Sequence, residues 1–156
     1  MIKAITKLEL WGAYIAALNL AAMFLLGLAE LTSRTLFSYS IPVSLEYAGY
    51  MVAFSFLMGA GWTLSEGKHI RLTLAKDTKG GLQLAATLFS LVIALLLTLG
   101  LIVWVWGSFE RGSVSFFPSA TPLWVPQAIF TLGPLILTLS LLKHLLLLRG
   151  KLQGKS

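Results

Sequence analysis

Four long stretches of this chain contain no charged residue: 10–29, 47–65, 80–109 and 112–142, with 20, 19, 30 and 31 residues respectively. A helix needs about 20 apolar residues to cross the hydrocarbon core of a bilayer, so each stretch is long enough to span one. Together they occupy 100 of 156 residues, which leaves no loop able to fold as a separate domain with its own core. The composition agrees, since 57% hydrophobic and 12% charged residues, with a mean hydropathy of +0.85, lie outside the range of ordinary soluble domains.

The last stretch opens with prolines and small polar residues over 112–122, which mark a loop. Pro126 then falls in the first turn of the final helix, where proline is tolerated. The expected architecture is an all-α integral membrane protein, a single domain over 1–156 with four transmembrane helices near 10–29, 46–65, 82–107 and 123–143. The first stretch exceeds the 7 to 15 residues of a secretory signal core and is read as a retained span. Basic residues set the orientation. Lys3, Lys7, Lys68, Arg71, Lys76, Lys79, Lys143, Arg149, Lys151 and Lys155 lie on one side and only Arg34 and Arg111 on the other, so both termini are expected in the cytoplasm.

The chain has no cysteine, which excludes disulfides, thiol nucleophiles, iron–sulfur ligation and Cys-containing zinc sites. The net charge of +6 sits in short segments beside apolar spans, a placement suited to lipid headgroups rather than nucleic acid. No span carries a charge in its middle: Glu9, Glu30, Glu46, Glu66 and Glu110 all flank spans. The deeper polar groups are Asn19, Ser55, Ser90, Thr98, Thr131 and Thr138. Intramembrane charges commonly mark ion and proton paths, so a self-contained small exporter lacks its expected carboxylate. Asn19 reads foremost as a hydrogen-bonding link between helices. A haem-binding redox subunit would have to use His69 and His144, both at the cytoplasmic boundary beside lysines and without further ligands clustered there. Phosphate loops, zinc-protease helices and nucleophile elbows are missing, so no cofactor or catalytic site is assigned to this chain.

Small residues recur at four-residue spacing: Ala13, Ala17 and Ala21 in the first helix, Gly49 and Ala53 in the second, and Ala86, Ser90 and Ala94 in the third. Gly59 and Gly61 follow near the end of the second. Such ridges let helix backbones approach closely, within the bundle or against a partner. The connection 68–79 mixes apolar and basic residues as an interfacial segment does. On the opposite side Arg34, Glu46, Glu110 and Arg111 form a sparse mixed-charge set suited to docking a periplasmic protein.

The run from Ser44, Glu46 and Tyr50 through Gly59 and Gly61 to Gly67, Lys68, His69, Ile70, Arg71 and Leu72 resembles the small membrane subunit (DctQ-like Q subunit) of tripartite ATP-independent periplasmic (TRAP) transporters. Glu46, Gly59, Gly67 and His69 match an acidic residue opening the second helix, a Gly-Ala patch near its end and a Gly-x-His-Ile turn. Pro122, Pro126, Gly133 and Pro134 fit the family's fourth span. Thr73 departs from the pattern, standing where many members have an aspartate. The resemblance implies a bacterial or archaeal inner-membrane protein that is not an enzyme. Its implied partners are a large elevator-type subunit, which holds the sodium and substrate sites, and a periplasmic substrate-binding protein. The implied role is that of a scaffold in sodium-coupled uptake of a small organic anion, a carboxylate or sulfonate. Lys76 and Lys79 would join Gly67, Lys68, His69 and Arg71 in a cytoplasmic interfacial turn.

Overall fold

The structure, a computed structural model, describes residues 2–66 and 80–153. They form four helices, α1 (Ile2–Phe37), α2 (Ser44–Ser65), α3 (Gly80–Glu110) and α4 (Trp124–Gln153). The chain is all-α, and among the described residues the only extended pairing is an isolated antiparallel bridge between Val114 and Pro122. The expected interfacial turn, with Gly67, Lys68, His69, Arg71, Lys76 and Lys79, lies outside the described residues.

The helices outrun the apolar stretches. With 36 residues, α1 is about 54 Å long at 1.5 Å per residue and passes the 10–29 stretch by eight residues at each end. Charges end an apolar stretch without ending a helix, because Lys, Glu and Arg are good helix formers and Glu30 and Arg34 pair one turn apart at 2.7 Å. The helix stops at Ser38, whose backbone is left-handed (φ 51°). A Schellman motif closes α3: Gly112 takes φ 58°, its N–H donates to Phe109 O, and Ser113 N–H donates to Ser108 O at 3.0 Å.

Three helices, α1, α3 and α4, are long and apolar enough to cross a membrane. The fourth, α2, is not among them, because three glycines, three serines and two tyrosines dilute its apolar residues. Packing contributes to its difference from α1 and α3. Helix α2 lies between α1 and α4, while α3 packs on α4 and makes little contact with α1 or α2. A helix flanked on two sides presents less surface to lipid and needs fewer large apolar residues. In the apolar windows of α1 and α3 only 11% of residues are buried, against 39% in α4, which contacts all three other helices.

Ala16, Met58 and Ile136, one residue from each central helix, form the small core, with Phe54 against it. Close backbone approach sets its spacing. A Cβ at Gly133 would collide with the Leu57 backbone, and one at Gly61 would lie 2.9 Å from Ile136 Cγ2. The ridge Ala13, Ala17 and Ala21 is not the face that packs inward. Helix α1 turns Gly12 and Ala16 to the core and leaves Ala17 and Ala21 exposed. Gly49 is exposed with open space around it, Gly59 has nothing within Cβ contact, and Ala53 is half-buried. In α3, Ala94 is buried, whereas Ala86 and Ser90 are exposed.

Candidate functional site

Polar side chains gather at three levels of the bundle. At the end carrying the α1–α2 and α3–α4 loops, Glu46 stands in the first turn of α2, where a carboxylate complements the helix dipole. It is buried, and it accepts hydrogen bonds from the Tyr50 hydroxyl at 2.8 Å and the Ser119 hydroxyl at 2.5 Å. Ser119 Oγ in turn accepts from Thr121 N–H and the Thr121 hydroxyl, and Thr121 lies 3.3 Å from the Tyr47 hydroxyl. The α3–α4 loop is thus fastened across the start of α2. Glu30 organises the other loop, accepting from Arg34, the Ser40 hydroxyl and Ile41 N–H, each at 2.7 Å.

Asn19 links α1 to α2 at mid-height. Its amide donates to Met51 O at 2.6 Å and to Ser55 Oγ at 2.8 Å, and the Ser55 hydroxyl donates back to Ala16 O. Beside it a cleft of about 330 Å³ opens among α1, α2 and α4, walled by Tyr50, Met51, Phe54, Ile129 and Phe130. Its polar rim is Tyr47 and Thr121.

At the opposite end Lys143 reaches inward from α4. Its ammonium donates to Glu9 Oε2 at 2.5 Å, to Ser65 Oγ at 2.8 Å and to Thr6 Oγ1 at 3.4 Å, so one cation ties α4 to α1 and α2. Glu9 and Lys143 are both buried. Among the described residues, the buried side-chain oxygens without a partner are Glu9 Oε1 and Gln127 Oε1.

The four residues grouped as a docking set therefore separate. Arg34, Glu110 and Arg111 are exposed, with Glu110 accepting from Trp106 Nε1 at 2.7 Å and the Arg111 guanidinium lying over Gly107. Glu46 is turned inward, because Ser119 and Tyr50 supply the hydrogen bonds that burial of a carboxylate requires. The Glu9–Lys143 pair was not legible as a unit, since each residue alone reads as a charge at the end of a span. Among the described residues no three His, Cys, Asp or Glu side chains converge as a metal site. His144 is half-buried on α4, and His69, the second ligand that a haem-binding subunit would need, lies outside the described residues.

A family model described as tripartite ATP-independent periplasmic transporters, DctQ component, matches residues 23–150. The chain belongs to the DctQ family. The match starts inside α1, beyond Ala16 and Asn19, and runs almost to the end of α4, so it covers α2, α3, most of α4 and both fastened loops. Comparison with curated proteins and with solved structures finds no match. Membership makes the chain a transporter component rather than an enzyme. The polar groups above are accordingly judged as parts of a membrane assembly.

Proposed function

We propose that the chain is the fixed scaffold subunit of a TRAP transporter, joined to a large elevator-type membrane subunit and serving sodium-coupled, binding-protein-dependent uptake of a small organic anion. The observation that carries this reading is the internal use of its deep polar groups. The Asn19 amide is spent on Met51 and Ser55, and the Lys143 ammonium on Glu9, Ser65 and Thr6. Groups committed to holding helices together are poorly placed to bind and release a substrate or an ion. They suit a frame that resists movement.

In this reading all four helices cross the membrane, α2 shielded by its neighbours, and both termini face the cytoplasm in line with the ten-to-two division of basic residues. The small-residue face that the chain leaves unpacked, Ala17 and Ala21 on α1 with Gly49 on α2, meets the large subunit. Arg34, Glu110 and Arg111 face the periplasm and take part in docking the binding protein, while carboxylate or sulfonate selectivity resides in the partners.

The test is sodium-driven uptake into proteoliposomes holding this chain alone, the large subunit alone, or both, with the liganded binding protein added. Uptake only with all components is expected. Uptake by this chain alone would overturn the scaffold reading.

A further inference from the structure

Beyond Arg111, the α3–α4 loop exposes apolar side chains without any charge to keep them in water. No Asp, Glu, Lys or Arg occurs between Arg111 and Lys143, yet Phe116 is fully exposed, with Val114 and Phe117 also exposed. The loop is nonetheless well braced. Ser115 N–H donates to Thr121 O and Leu123 N–H to Ser113 O, each at 2.9 Å, which makes a short hairpin with Phe116 and Phe117 at its tip.

Two side-chain links decide where that tip lies. Ser119 is held by Glu46 and Thr121 by Tyr47, both in the first turn of α2. The return limb of the hairpin is therefore held against the end of the bundle, which keeps the tip close to the helix ends. Ser113 is bonded to the last turn of α3, and Phe116 is three residues further on, so the tip lies within about 10 Å of the helix end. The headgroup layer is roughly 5 to 8 Å deep on each side of the hydrocarbon. At the base of the loop, Trp106, Phe109 and Trp124 meet in sequence, tilted and then edge to face, with centroid separations of 6.3 and 5.7 Å, the amphipathic aromatic belt expected at a membrane surface.

We infer that the α3–α4 hairpin is a lipid anchor, Phe116 and Phe117 entering the boundary between headgroups and acyl chains, with the Glu46–Ser119 bond as the bracket that holds it against the end of the bundle. The partner is a neutral phospholipid surface, because the hairpin itself carries no charge with which to select an anionic one, and Arg111 at its base stands next to the opposite charge of Glu110. The inference rests on the membrane-spanning reading of α3 and α4.

The chain has no cysteine, so single variants accept one nitroxide label each. Phe116→Cys and Leu96→Cys, labelled in the full chain in phosphatidylcholine–phosphatidylethanolamine vesicles, are compared by collision with dissolved oxygen and with a water-soluble nickel chelate. Leu96 is mid-helix on the exposed face of α3. Both labels are expected to favour oxygen, 116 weakly, as at the boundary between headgroups and acyl chains, and 96 strongly. Adding Ser119→Ala is expected to raise nickel access at 116 several-fold and leave 96 unchanged. Water exposure at 116 with 96 protected overturns the anchor alone, whereas exposure at both overturns the spanning reading. Protection at 116 that appears only after the large subunit or binding protein is added assigns the tip to protein docking and also overturns the anchor. An unchanged signal in Ser119→Ala removes the bracket.

Discussion

Lys143 shows how much a single residue in this chain depends on its partners. Its ammonium and the Glu9 carboxylate leave water together, and the Ser65 and Thr6 hydroxyls take up two more of its donor positions. Removing one member strands the other, at a typical cost of about 3 to 5 kcal/mol, whereas replacing both by apolar groups of similar volume is often near neutral. Lys143→Met is therefore expected to lower the thermal midpoint of the detergent-purified chain sharply, and Glu9→Leu with Lys143→Met to recover most of the loss. A double variant as unstable as the single would remove the pair from the account. Asn19→Ala is a milder case, with an expected loss of about 1 kcal/mol in unfolding equilibrium measurements and normal uptake by the assembled transporter. Abolished uptake with retained stability would turn Asn19 into part of a transport path. The sequence showed Asn19 as a link between helices, though not its partners Met51 and Ser55, whereas the Glu9–Lys143 contact was not visible, and the reason is physical. Glu9 and Lys143 are 134 residues apart, and hydropathy ranks each by its own solvation, whereas burial depends on which opposite charge the fold delivers to the same depth.

Helices were legible in number and type, but not in length or in rotation about their axes. Transfer free energy marks where a helix enters lipid, so the charged flanks of α1 escaped a reading based on apolar runs although they continue the same helix. Rotation is subtler. Ala13, Ala17 and Ala21 and the inward pair Gly12 and Ala16 lie on adjacent columns of one helix, and four-residue spacing fits both. The choice falls to fit against Met58 and Ser55, which only the packed structure supplies. Two glycines of α2 and α4 separate the cases experimentally. Gly133→Ala forces a methyl against the Leu57 backbone, which belongs to a neighbouring helix and has little room to yield. A loss of about 1 to 3 kcal/mol or more is expected from such overpacking, measured as a reduced unfolding midpoint. Gly49→Ala meets open space and is expected to leave that midpoint unchanged. Gly49→Phe is expected to leave the isolated chain stable but reduce recovery of the large subunit in co-purification, and full recovery would move the partner surface elsewhere.

At the scale of the whole molecule, the two ends of the bundle differ in how they use charge. At the terminal end Glu9 and Lys143 are consumed internally, whereas at the loop end Glu30 and Glu46 are spent on fastening the loops and Arg34, Glu110 and Arg111 stay exposed. Arg34 remains 67% exposed while paired with Glu30, itself 15% exposed, and an ion pair with one partner in solvent typically contributes about 1 kcal/mol or less to stability. Their cost to the fold is small, so they are free to act on encounter with a partner, where charge complementarity changes association rate and orientation more than the lifetime of the complex. Reversing both basic residues, Arg34→Glu with Arg111→Glu, is therefore expected to lower the unfolding midpoint of the chain only slightly, because Glu30 loses Arg34 but keeps the Ser40 hydroxyl and Ile41 N–H. Binding-protein association with the assembled transporter is expected to slow by roughly tenfold at low salt, within the range that electrostatic steering commands. The difference from the unmodified complex should shrink toward 1 M salt, where the screening length falls to about 3 Å. An association rate that is unchanged at low salt would remove these residues from docking, and a slower rate that persists at 1 M salt would point to a lost contact rather than a lost field.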